Sequence, residues 1–153
     1  MMRCRRSVAW AVAAVIALLA GPTAEAEDLT LADPSGNAVH WLEWIGANGP
    51  AAVLVWASWT PGADAAVDSL PDLTEAARAH GLKLVVVDVQ EGADLAAPVL
   101  GRTAVPWLHD RHGAILKSYR LTRVPILIVV DRAGEVIGRL DPTLEALRGW
   151  APP

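Results

Sequence analysis

The stretch that decides the fold is WASWTPGA, residues 56–63. It follows the apolar run AAVLV and precedes the more polar DAAVDSLPDLTEAARAHG. The apolar character of residues 51–58 suits a strand buried on both faces. Beyond it, Val67, Leu70, Leu73 and Ala77 recur at helical spacing, and Gly81 is a good C-terminal stop. The pattern predicts a single helix over residues 61–80, kinked at Pro71. Its start reads as self-sufficient. Thr60 suits an N-cap, with its hydroxyl accepting a first-turn N–H. Pro61 suits the first helical position, where a missing N–H costs nothing. Asp64 places negative charge near the positive end of the helix dipole. The tight turn from strand to helix is a place where chemistry often sits, yet it carries no reactive residue. A Thr nucleophile needs an adjacent base, and the neighbouring sequence supplies none.

Working outward, LTLA and AVHWLEWI lie on either side of DPSGN, which suggests a small hairpin or edge strand with a short helical piece. Downstream, LKLVVVDV (residues 82–89) reads as a second buried strand and residues 92–102 as a short helix. Residues 105–108 read as a short strand before the turn DRHG, and residues 115–119 as a helical turn. Residues 126–130 and 135–140 are strands joined by DRAG, a hairpin signal, and residues 143–150 form a closing helix. Early βαβ units call for parallel strands, and the late hairpin adds antiparallel ones. The expected architecture is α/β, a central mixed sheet flanked by helices on both faces.

With 153 residues the chain has the length of one domain, and 53% apolar content is enough for a core. Arg3, Arg5 and Arg6, the apolar residues 8–20, and Ala24-Glu25-Ala26 together read as a secretory signal peptide. The expected organisation is a signal over residues 1–26, cleaved after Ala26, and one domain over residues 27–153. That places the protein in the periplasm or otherwise outside the cytoplasm, without a stable membrane span. A span needs about 20 apolar residues, and this run is shorter; the alternative is an uncleaved N-terminal anchor. No Cys follows the run to accept a lipid. The full chain has 13 basic and 17 acidic residues, and without the first 26 residues the net charge is −6. Such an acidic chain argues against nucleic-acid binding, which needs a basic face. The one Cys is Cys4, so a processed chain has neither disulfides nor thiol chemistry of its own.

LVWASWTPGADAAVDSLPDL resembles the active-site segment of the thioredoxin superfamily, in particular its exported TlpA/ResA-type thiol–disulfide oxidoreductases. There an aromatic-rich strand end leads into a helix opening as Cys-x-x-Cys, with a Pro further along. Trp56, Ala57, Ser58, Trp59 and Pro71 match that pattern. VPILIVVDRAGEVIGRL resembles the family's later segment, where a cis Pro starts a strand facing the active site; Pro125, Asp131 and Gly134 match. The resemblance implies a thioredoxin-like fold over residues 29–150, with a cis Val124–Pro125 bond. It also exposes a departure, because the two cysteine positions are Thr60 and Ala63. In that family the first thiolate attacks a partner's disulfide and the second resolves the mixed intermediate. An alcohol lacks the low pKa that makes a thiolate available at a helix start, and Ala63 has no sulfur. No catalytic residue remains, and the expected chemistry of the site is none.

What the resemblance leaves is a groove. Trp59, Thr60, Pro61, Val124 and Pro125 would line it, and in active relatives it holds an extended peptide through backbone hydrogen bonds. This implies a redox-inactive binding or accessory protein whose partner is another exported or membrane protein. The alternative is a thiol–disulfide oxidoreductase by family, in cytochrome maturation or envelope redox homeostasis. A Glu at the position of Glu91 tunes the cysteine pair in ResA-like proteins; without cysteines, solvent exposure is the expected state here, with a buried, proton-bearing Glu91 the alternative. His109 and His112 flank a turn, HDRH. With no third ligand evident they read as exposed turn residues and not as a metal site. No metal or other cofactor is expected. Trp56 is expected in the core and Trp59 at the surface.

Overall fold

β3 (Ala51–Trp56) is a run of six buried residues in a seven-stranded sheet. The computed structural model describes residues 28–153; the expected signal peptide and its cleavage point lie outside them. Parallel β4 (Lys83–Val89) lies on one side of β3, and antiparallel β6 (Ile126–Val130) on the other. β5 (Trp107–Asp110) continues the parallel part, and β7 (Val136–Leu140) closes the other edge. The hairpin of β1 (Thr30–Ala32) and β2 (Ala38–His40) adds to β5, giving the order β2-β1-β5-β4-β3-β6-β7. This is the mixed sheet that the βαβ units and the late hairpin demand.

Alternation along the strands feeds two cores. Ala52, Leu54, Trp56, Val86, Leu127 and Val129 point to one face. There they meet α2 (Ala63–Asp68), α3 (Leu70–Ala79), α4 (Ala93–Leu100) and α6 (Leu144–Arg148). Val53, Val55, Val85, Val87, Ile128 and Val130 point to the other, under α1 (Trp41–Asn48) and α5 (Ala114–Ser118). Burying one such aliphatic side chain contributes about 1.5–3 kcal/mol, so the central strands anchor both layers.

The segment after β3 differs from its sequence reading in two ways. First, residues 61–80 form two helices, α2 and α3, separated at Ser69. Pro71 has no N–H to donate back to Val67 and its ring crowds that carbonyl, so a helix continuous through it would carry a cost that a break at Ser69 relieves. It is accommodated in the first turn of α3, and the Ser69 hydroxyl donates to the Ala66 carbonyl at the break. Second, Thr60 is not the N-cap. Gly62 holds that position, left-handed at φ 83°, and the helix begins at Ala63. The strand correspondingly ends at Trp56 and not at residue 58. Thr60 is thus two residues too early for its hydroxyl to reach the first-turn amides, and it donates to the Ala57 carbonyl at 2.8 Å instead. β5 also lies later than residues 105–108. The Gly49–Pro50 and Val124–Pro125 peptides are cis.

Candidate functional site

The turn at residues 57–63 leaves the C-terminal end of β3. The pairing Val55↔Ile126 brings the start of β6, and with it Val124 and Pro125, to the same end of the sheet. Trp56 is 1% exposed, and its indole Nε1 donates to the Ala63 carbonyl at 3.0 Å, tying the strand end to the first residue of α2. The Ala63 amide in turn donates to the Thr60 carbonyl at 3.1 Å. Thr60 and Ala63 are both buried, whereas Trp59 is 59% exposed. Val124 and Pro125 are half-buried and Pro61 is exposed. The expected groove residues therefore gather at one sheet end, with Trp59 the large apolar side chain turned outward.

Beneath the turn lies a set of polar side chains. Glu91, expected at the surface, is buried. Its carboxylate accepts the Ser58 amide at 2.8 Å and also the Ser58 hydroxyl. Burial pushes its pKa up, but the neighbouring Asp88 carboxyl and the two bonds from Ser58 outweigh that and hold it below the ordinary value. The burial of Glu91 is as the alternative reading had it, and its lowered pKa favours the ionised form near neutral pH. The proton resides on Asp88. Fully buried, and beside the Glu91 charge, Asp88 is pushed up to about 9.

His109 is the second correction. It is not an exposed turn residue but part of β5, directly opposite Asp88 in the parallel register. Its Nδ1 lies 2.6 Å from Asp88 Oδ2. Burial lowers its pKa, against the pull of Asp110, so the ring is neutral near pH 7. Asp88 Oδ1 has no hydrogen-bond partner among the described residues. Asp110 is used differently, accepting the Ala114 and Ile115 amides at the start of α5. His112 is exposed, as its turn position suggests. Among the described residues no three His, Cys, Asp or Glu side chains gather in a way that could hold a metal ion.

Sequence reasoning missed Asp88 and Ser58. A signal for Asp88 was present: one acid inside LKLVVVDV, a strand otherwise apolar after its first Lys, needs a buried partner. What pairs it with His109 is strand register, which no local pattern encodes. The Thr60 hydroxyl is committed to a carbonyl, and no thiol stands at residue 60 or 63.

The AhpC/TSA family model matches residues 22–139. Among solved structures, the chain is similar to a secreted Mycobacterium tuberculosis disulfide oxidoreductase homologous to E. coli DsbE. That match has a TM-score of 0.61 and 18% identity over 80% of this chain and 92% of that one. DsbF of the same organism gives 0.61 and 20%, over 82% and 92%. The thioredoxin domain of a Bacteroides vulgatus thiol-disulfide oxidoreductase gives 0.57 and 19%, over 74% and 84%. At these identities the likeness is one of fold, and the fold is thioredoxin-like. A comparison with curated proteins finds no match.

Proposed function

The chain belongs to the AhpC/TSA family, and we propose that within it the protein is an exported, TlpA/ResA-like member without redox activity that binds another protein as an extended peptide. The observation that carries this is the turn itself: Thr60 and Ala63 occupy the two positions where the resemblance places cysteines. The exchange of a disulfide needs a thiolate to attack and a second to resolve, and the one Cys of the chain is Cys4. Peptide capture needs neither. It needs backbone groups to align an extended segment and an apolar surface to seat its side chains. Exposed Trp59, at the same end of the sheet as half-buried Val124 and Pro125, supplies that surface. The partner's class is another exported or membrane protein. Export rests on the basic and apolar character of residues 3–26. Among the described residues no helix is long and apolar enough to cross a membrane.

The alternative, an active thiol–disulfide oxidoreductase, is separated by one assay. Purified residues 27–153 should reduce insulin no faster than a protein-free control. Extended peptides selected from a displayed random library on the same protein should lose binding on Trp59→Ala. Insulin reduction above the control, or selected peptides indifferent to Trp59→Ala, would overturn the reading.

A further inference from the structure

The opposite end of the sheet holds a cavity of about 560 Å³, within the roughly 300–1,000 Å³ usual for small-molecule sites. Its walls include Pro50, Leu82, Leu84 and Val105. Its charged lining is entirely cationic: Arg78 near the end of α3, Lys83 at the start of β4, and Arg132 in the β6–β7 turn. This is unexpected in a chain whose acidic residues outnumber its basic ones, 17 to 13. All three are exposed, so their charges are available to a ligand entering from solvent. None of these three lies within ion-pair distance of a carboxylate among the described residues, whereas Arg123 does pair with Asp141 at 2.7 Å. Asp131, next to Arg132, spends its carboxylate on the Ala133 and Glu135 amides. Lys83 is held in position, donating to Asn48 Oδ1 at 2.6 Å with its ammonium 5.6 Å from the Trp44 ring centre. Its remaining ammonium donors are free for a ligand.

We propose that this cavity binds a small organic anion with an apolar body, its acidic head among Arg78, Lys83 and Arg132 and its body against Pro50, Leu82 and Val105. The site is distinct from the peptide groove and does not depend on it. The probe is 8-anilinonaphthalene-1-sulfonate, an aromatic sulfonate, titrated by fluorescence into the purified protein. Saturable one-to-one binding is expected. Each of Arg78→Ala, Lys83→Ala and Arg132→Ala should weaken it about two- to fivefold, and the triple variant about tenfold or more, as the loss of partly exposed charge contacts predicts. Added salt should weaken it as well. Uncharged N-phenyl-1-naphthylamine should bind at least about tenfold more weakly, because it gains nothing from the same three contacts. Arg111→Ala, an exposed cation outside the cavity, should leave binding unchanged. Thermal melts check that each variant is folded; should the triple variant not fold, Arg132→Gln in the exposed turn carries the test. The proposal is overturned by the absence of saturable binding, by equal affinity for the neutral dye, by folded cavity variants that bind as the parent does, or by an equal loss on Arg111→Ala.

Discussion

Asp88 sets the electrostatic character of the site from beneath. An acid inside a strand is normally destabilising unless paired or protonated, and here burial and the Glu91 carboxylate together keep the proton on Asp88 up to a pKa of about 9. The unfolded chain releases that proton near the ordinary value of 3.8. Between those two values the folded state binds the extra proton, so stability must fall as pH rises, by at most about 1.4 kcal/mol per pH unit for one proton. Glu91 acts in the opposite sense. Its lowered pKa adds stability above the ordinary value of 4.5 that is lost as pH falls below it. His109, with its lowered pKa, opposes this below the ordinary imidazole value of 6.5, so melting temperatures measured from about pH 7 to pH 8.5 isolate Asp88 and should decline for the parent protein. They should decline distinctly less for Asp88→Asn, whose neutral amide can still face His109. Parallel declines in the two proteins would show that Asp88 does not carry the proton. None of this could be read from LKLVVVDV alone, where Asp88 stands out only as an acid without a visible partner. His109, 21 residues on, becomes that partner only because β4 and β5 pair in parallel.

At the scale of elements, local signals located nearly every strand and helix but misjudged how β3 joins the helices after it. Alternation and apolar runs are strong where a strand is buried on both faces, as β3, β4 and β6 are. Thr60-Pro61 is a good helix start by local chemistry, yet the chain takes one more turn before α2. The reason is tertiary: the Trp56 indole holds the Ala63 carbonyl and the Thr60 hydroxyl holds the Ala57 carbonyl, which together fix a turn that Gly62 must complete. Gly62 has φ +83°, and a Cβ placed there meets nothing within 4 Å. Substitution at this point therefore carries a backbone cost and no steric one. Gly62→Ala should destabilise the protein by about 1–2 kcal/mol, the cost of a left-handed non-glycine residue, as read from denaturant midpoints. A neutral effect would mean that the turn is not left-handed in solution. By contrast, the Thr143 hydroxyl does cap its helix, accepting the Ala146 amide at 3.2 Å. The same residue type thus has two fates, decided by what lies around it.

For the molecule as a whole, the order of elements and the paired motifs around WASWTPGA and VPILIVVD were enough to anticipate a mixed sheet clad on both faces. The polar layer under the site was not, since it depends on which strands become neighbours. The scaffold also makes the emptied site open to direct test. The Ala63 amide bonds to the Thr60 carbonyl at 3.1 Å, which closes a four-residue turn. Such a turn brings its end Cα atoms within about 7 Å, and disulfides span Cα separations of about 4.4–6.8 Å. Both side chains are buried in the same turn, at 7% and 3% exposure, so neither is held out in solvent away from the other. The double variant Thr60→Cys/Ala63→Cys, made in residues 27–153 so that Cys4 cannot compete, should therefore form an intramolecular disulfide under mild oxidation. Mass spectrometry would read this as the loss of two hydrogens from a monomer. The same variant should gain insulin reductase activity that neither single variant shows, since one thiol can form a mixed disulfide but cannot resolve it. Losing the Thr60 hydroxyl bond costs about 0.5–1.5 kcal/mol, so a modest fall in the stability of the reduced form is expected alongside. A folded double variant whose two thiols stay unpaired under oxidising conditions would mean that residues 60 and 63 do not stand where the family places its cysteines, and the reading of this turn as an emptied redox site would fall with that result.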